Sequence, residues 1–195
     1  MSSEALKSIK EEAWNWDEDY GEMTIKEFVN LKEIAGFNYK DYLKSILEKV
    51  KIDDFTNLKA ITEQDIEEGL LPKGEVEKLR KVMNKGFSKN LTMNEIEKEI
   101  KGNVELKDRI SEGKLMLSAE YRPVNIARTE TVRLANEGLI DLYKNNGIER
   151  VRFLSAVSNR TCEKCLSLNG RIFNINELAI GENQPPIHSM CRCSM

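Results

Sequence analysis

Every cysteine of this chain, and its only histidine, falls within the last 34 residues: Cys162, Cys165, His188, Cys191 and Cys193, spaced C-x2-C-x22-H-x2-C-x-C. Thiolate and imidazole are the donors that zinc prefers, and a C-x2-C pair lets two sulfurs face one ion from a single tight turn. A second loop must then supply two more ligands to complete a tetrahedron. Five side chains compete for those four places. Cys162, Cys165, His188 and Cys191 are the favoured set, with Cys193 either replacing Cys191 or packing nearby as a thiol. An ion with four protein ligands keeps no open position for water, so the expected zinc is structural and not catalytic. A disulfide pairing and unconnected thiols are the rival readings. The start of the chain, Met1 to Asp19, is charged and lacks the apolar run of a secretory signal, which places the thiols in a reducing, intracellular setting and weakens the disulfide reading.

The elements that must position these residues can be read from pattern. A long helix begins near Pro123 and carries Val124, Ala127, Thr131, Leu134, Ala135, Leu139 and Leu142 along one side until Asn145, Asn146 and Gly147 end it. After Gly147 the period changes to that of a strand, with Val151, Phe153 and Val157 alternating against Arg152, Leu154 and Ala156. A second short strand is expected at Arg171 to Phe173, and Pro185 with Pro186 forces extended backbone just before His188. A sheet this small buries too little apolar area to stand alone, so the ion would staple the tail to the turn after the first strand.

The front of the chain is different in kind. Residues 1–120 carry 20 Lys+Arg against 26 Asp+Glu, whereas residues 121–195 carry 10 against 7, and eight of the ten arginines lie in that second part. Lysine-rich helical surface reads as solvated, while arginine points to fixed pairing with carboxylate or phosphate. The front reads as short helices: Leu6 to Trp16 with Trp14 and Trp16 as anchors, then runs stopped by Gly36, Gly69 with Pro72, and Gly86. A capping box of Thr92 and Glu95 opens another helix that stops at Gly102. Asn103 to Glu120 shows no decisive period and reads as helix and connection. No stretch reaches the eighteen apolar residues needed to cross a bilayer. The expected class is α+β: a mainly helical N-terminal part, then a long helix and a small zinc-stapled sheet. The expected divisions are an N-terminal helix over 1–21, a helical interaction domain over 22–88, a helical connector over 89–121 and the metal module over 122–195.

Two resemblances sharpen this. Leu58, Ile61, Thr62 to Ile66, Gly69, Leu70 and Lys73 to Glu75 resemble the core pattern of a SAM domain, a five-helix protein-interaction module, over about residues 22–86. Residues 122–195 resemble the Mu-F-like head morphogenesis family of tailed viruses, the minor head proteins. That family's Arg-Thr-Glu is met by Arg128, Thr129 and Glu130, and its following Asn by Asn136. Its Thr-Cys-x-x-Cys turn is met by Thr161 to Cys165, with Leu168 and Gly170 after it, and its Pro-Pro-x-His-x-x-Cys-Arg-Cys by Pro185 to Cys193. Ser189 stands where members usually carry Pro, and the family commonly continues beyond Cys193 into another strand. The resemblance implies a non-enzymatic minor component of a virus head, associated with the portal protein and other head proteins at the portal vertex. It implies a place in the virion, after assembly in the host cytoplasm, and allows contact with packaged DNA; no membrane is implied. Rival functions are a toxin-like or nucleotide-modifying domain of the kind linked to Mu-F-like segments, and a nucleic-acid-binding zinc module. Against the first, no general base paired with a nucleophile is apparent.

The motif residues on the long helix have a plainer reading as well. Arg133 can reach Glu130 and Glu137 one helical turn away, and such pairs are usually surface features worth about 0.2–0.5 kcal/mol. Arg128 has apolar helical neighbours in Val124 and Ala127, so a buried role holding the metal module to the helix is expected, with a phosphate or cofactor site as the sharper alternative.

Overall fold

The computed structural model describes Thr24, residues 73–111 and residues 113–195. The N-terminal helix over 1–21 and most of the helical interaction domain over 22–88, with its SAM-like stretch over about 22–86, lie outside the described residues.

The first described helix, α1 (Lys73–Ser88), buries Leu79, Val82, Met83 and Phe87. Gly86 does not stop it, contrary to the sequence reading. A Cβ there would stand 2.6 Å from Ile96 Cγ1 on the next helix, so the glycine is a point of close approach inside α1. That next helix, α2 (Met93–Asn103), opens on the expected capping box. The Glu95 N–H donates to Thr92 Oγ1 at 3.2 Å and the Thr92 N–H to Glu95 Oε2 at 2.8 Å, satisfying two helix-end donors reciprocally. Glu75 ties the far ends of this pair together. Its carboxylate accepts from Lys78 Nζ at 2.6 Å and from the Glu105 N–H at 2.7 Å, and these bonds hold its pKa below the ordinary value.

The connector does not stay helical. After α2 the chain forms an antiparallel hairpin of β1 (Arg109–Ser111) and β2 (Lys114–Leu117), turning through Gly113 at φ +73°. Its Ile110 and Leu115 face each other across the ladder and are both exposed, which is why no buried-face periodicity marked these strands.

Helix α3 (Arg122–Asn145) is the centre of the described fold. Sixteen of its 24 residues are buried, so it is enclosed nearly all round and not along one apolar stripe. It packs on α2. Its end is the predicted one: the Ile148 N–H reaches the Tyr143 carbonyl at 2.9 Å and the Gly147 N–H that of Lys144 at 3.1 Å, with Gly147 left-handed at φ +73°. That is a Schellman stop, for which glycine is suited. The Arg133 pairing is corrected by burial. Arg133 and Glu130 have side chains 1% and 0% exposed, so this is an interior ion pair and not surface decoration. Arg133 Nε donates to both Glu130 oxygens at 3.1 and 2.9 Å, its Nη2 also meets Glu130, and its Nη1 reaches Glu137 at 2.9 Å. Burial by itself would lower the Arg133 pKa, but the two carboxylates outweigh it and hold the charge in place.

Beyond α3, β3 (Arg150–Arg152) pairs antiparallel with β4 (Ile172–Asn174), and a short helix, α4 (Glu163–Leu168), lies between them in sequence. The ladder is shorter than the strand pattern suggested, yet the alternation continues past it: Phe153 is fully buried while Arg152 and Leu154 are exposed. On the other side of this strand, Leu154 and Ser194 exchange backbone bonds of 2.8 and 2.9 Å, so the C-terminal tail takes an edge position. Val151, Phe153, Leu168, Ile175, Ile187 and Met195 form a core with Ile140 of α3, closed by Cys165, Cys191 and Cys193. The result is an α+β architecture of helices α1 to α3 and two small antiparallel sheets, with the cysteines on α4 and the tail.

The Gly86 contact has a measurable consequence. Alanine gains about 1 kcal/mol of helix propensity over glycine, but overpacking a buried contact costs roughly 1–3 kcal/mol. Gly86→Ala is therefore expected to lower the melting temperature, and an unchanged or raised midpoint in thermal denaturation would show that α1 and α2 do not touch here.

Candidate metal centre

The five metal-type side chains converge. Cys162, Cys165 and His188 form one group and Cys165, Cys191 and Cys193 another, and within each group the donor atoms all lie within 4.8 Å of one another. Cys165 belongs to both. His188 Nε2 stands 3.3 Å from Cys162 Sγ and 3.4 Å from Cys165 Sγ, and the Cys165 and Cys191 sulfurs are 3.9 Å apart. With bonds of about 2.3 Å to sulfur and about 2.0 Å to nitrogen, ligands of one tetrahedral ion stand about 3.5–3.8 Å apart. These three separations lie near that spacing, while the donors as a whole fall into two groups of three that share Cys165 and not into one group of four.

Local structure explains how each donor is aimed. Cys162 is the N-cap of α4, and its sulfur accepts the Cys165 N–H at 3.4 Å, so the C-x2-C pair sits on the first turn of a short helix instead of an open loop. His188 Nδ1 lies 2.7 Å from the Ser189 carbonyl. A carbonyl only accepts, so Nδ1 carries the proton and the Nε2 lone pair faces the two sulfurs; metal-bound histidines are commonly oriented in this way. The three thiols on the inner side are all buried and cannot share one neighbourhood as three free anions. Hydrogen bonds from Cys165 and Cys193 hold Cys191 well below the ordinary thiol range, and the same proximity pushes Cys165 up. Cys193, lowered by its bond to Cys165, is raised more by Cys191 and burial. A bound cation would relieve this competition for charge, because it ionises coordinating thiols outright.

The tail that carries His188, Cys191 and Cys193 is held by polar groups of α3. Ser189 Oγ donates to Asn125 Oδ1 at 2.7 Å, and the Met190 N–H donates to Thr129 Oγ1 at 3.0 Å. Asn136 Nδ2 donates to the Cys193 carbonyl at 3.2 Å, and Asn136 Oδ1 accepts the Met195 N–H at 3.0 Å. Asn125, Thr129 and Asn136 are spaced by four and seven residues, which puts them on one face of the helix. Met190 has a left-handed backbone at φ +62°, unusual for a side-chain-bearing residue, and the Thr129 bond and the turn bond from the Cys191 N–H to the His188 carbonyl at 3.1 Å hold it there. At position 189 the serine hydroxyl supplies an anchor of its own.

Of the helix motif, then, Thr129 and Asn136 grip the tail and Glu130 holds Arg133 inside the fold. Arg128 departs from expectation: it is only half-buried, and it lines a cleft beside the cysteines. Asn125 was not singled out in the sequence, because a single polar residue on a helix carries no spacing signal, and Ser189 was marked only as a departure from the family's Pro. Arg192 Nη2 donates to Ser158 Oγ at 2.6 Å, tying the tail to the turn before Cys162.

With this geometry in place, comparison with known families is decisive: the family described as Phage Mu protein F like protein matches residues 77–195, more than half of the chain. The chain belongs to this family. No curated protein and no solved structure matches it significantly. The Mu F-like region starts well upstream of residue 122, where the motifs alone had placed it, and takes in α2 and most of α1. Phage head morphogenesis is thereby the functional class, which puts the protein in the virion. Among the described residues no helix is long and apolar enough to cross a membrane.

The Asn136 clamp can be tested directly. Asn136→Leu keeps the branched side-chain shape but strands the Cys193 carbonyl and the Met195 N–H in the interior, at a cost of about 1–3 kcal/mol each, or about 2–6 kcal/mol together. A loss of stability in that range is expected in urea denaturation, together with faster hydrogen exchange at Met195; exchange equal to that of the wild type would mean the clamp does not hold the tail.

Proposed function

We propose that this protein is a non-enzymatic minor head protein that docks at the portal vertex, its C-terminal module shaped by one structural zinc ion. The observation that carries the reading is the meeting of two donor triads, Cys162 with Cys165 and His188, and Cys165 with Cys191 and Cys193, at the shared Cys165. Cys162, Cys165, His188 and Cys191 are the ligands of choice, with Cys193 packed against Cys165 and Cys191. A thiolate and imidazole set favours zinc over the hard cations, and four protein ligands hold an ion for shape. Glu130, the carboxylate of the helix motif, has a side chain 0% exposed and is engaged by Arg133, which supports a structural role for the motif. The net acidic first 120 residues suit contact with other head proteins, including the portal, and packaged DNA is a further partner open to the arginine-rich second part.

Two measurements test this. Native mass spectrometry is expected to show one zinc per chain, lost in Cys162→Ser, and chelation is expected to lower the melting temperature; a chain that is folded, metal-free and indifferent to chelators would end the zinc reading. Co-assembly with portal and head particles is expected to retain the full chain. Failure of the folded, zinc-loaded protein to sediment with them would remove the head-docking role.

A further inference from the structure

The cleft of about 230 Å³ that opens over the metal centre, with Cys162, Cys165, His188 and Cys193 in its lining, brings together arginines from three separate segments: Arg128 from the middle of α3, Arg160 from the turn before Cys162 and Arg192 from the tail. No aspartate or glutamate is among its lining residues. The bond from Arg192 to Ser158 gives that guanidinium a defined direction, Tyr121 stands on the wall 48% exposed, and the Thr161 side chain completes the polar side.

Three guanidinium groups on one wall, with no carboxylate among the lining residues, favour an anion. Guanidinium forks match phosphoryl oxygens in pairs, and such charge-assisted bonds are the strong ones. The volume falls below the roughly 300–1,000 Å³ of a pocket that encloses a whole small molecule, which suits one phosphate group.

We propose that this cleft is a phosphate-binding site, taking the phosphoryl oxyanion of a nucleic-acid backbone or of a free phosphate through Arg128, Arg160 and Arg192. The site does not rest on docking at the portal, and either reading can fail without the other.

The test uses the full zinc-loaded chain, with pyrophosphate and a short DNA oligonucleotide as separate probes, in calorimetry and across a salt series. At least one probe is expected to bind. Arg160→Gln is expected to weaken that binding about tenfold, as befits a lost charge-assisted bond, while zinc content and melting temperature stay at wild-type values. Arg152→Gln, which removes the same charge from an exposed strand position outside the cleft, is expected to change little. Binding of the oligonucleotide, with the salt slope reduced by about one on Arg160→Gln, identifies the backbone as the source. Binding of pyrophosphate alone identifies a free anion. No binding of either probe, or an equal loss from Arg152→Gln, overturns the site; so does a loss of zinc in Arg160→Gln with probe binding intact, which would assign the arginine to the thiolates.

Discussion

The tail from Pro185 to Met195 contains no helix and no ladder longer than a single bridge, so its shape has to come from outside itself. The buried polar face of α3 supplies it. Asn125, Thr129 and Asn136 offer hydrogen-bond partners to Ser189, Met190, Cys193 and Met195 in order along the tail. Backbone groups buried without partners are costly, and a helix of ordinary apolar side chains could not satisfy them. The rest follows from this fastening: once the tail lies along α3, His188 and Cys191 are delivered to the C-x2-C turn, and Ser194 closes the sheet edge at Leu154.

The cysteine cluster and the helix clamp are two fastenings of one segment, and they differ in kind. Hydrogen bonds from α3 set the path of the backbone, whereas the donor atoms set a local shell whose thiols compete for charge. Relief of that competition by a cation couples metal affinity to the folded path, because the unfolded tail offers no preformed shell. The small core of Val151, Phe153, Ile175 and Met195 packs against the same sulfurs, so the cluster serves both as ligand set and as interior wall.

Inside α3 the Glu130–Arg133 pair shows why a helix this enclosed can still be rich in polar residues. Both charges are out of water, and each is tolerated because the other is within hydrogen-bond reach, with Glu137 adding a second carboxylate at the half-buried edge. Removing one partner of such a pair leaves an uncompensated buried charge, a much larger effect than losing a surface pair. The Mu F-like motif on this helix is accordingly a set of interior fittings: two residues for the tail, one for the ion pair, and Arg128 turned to the cleft.

Local chemistry was legible in the sequence wherever it depends on neighbours along the chain. The capping box at Thr92, the stop at Gly147, the alternation through Val151 and Phe153, and the grouping of every cysteine with the one histidine all rest on short-range rules of geometry and ligation, and the family could be read from the motifs that carry them. What crosses between elements was not. The closeness of Ile96 makes Gly86 a packing glycine rather than a stop, the surrounding fold turns Arg133 from surface to interior, and the hairpin at Arg109–Leu117 leaves its apolar pair exposed, so that no period announced it. The meeting of Arg128, Arg160 and Arg192 at one cleft is of the same kind, since residues far apart in the chain become neighbours only when α3, the turn and the tail are packed together. Spacing along a chain encodes which face a residue shares with its near neighbours, and only tertiary packing decides what that face meets.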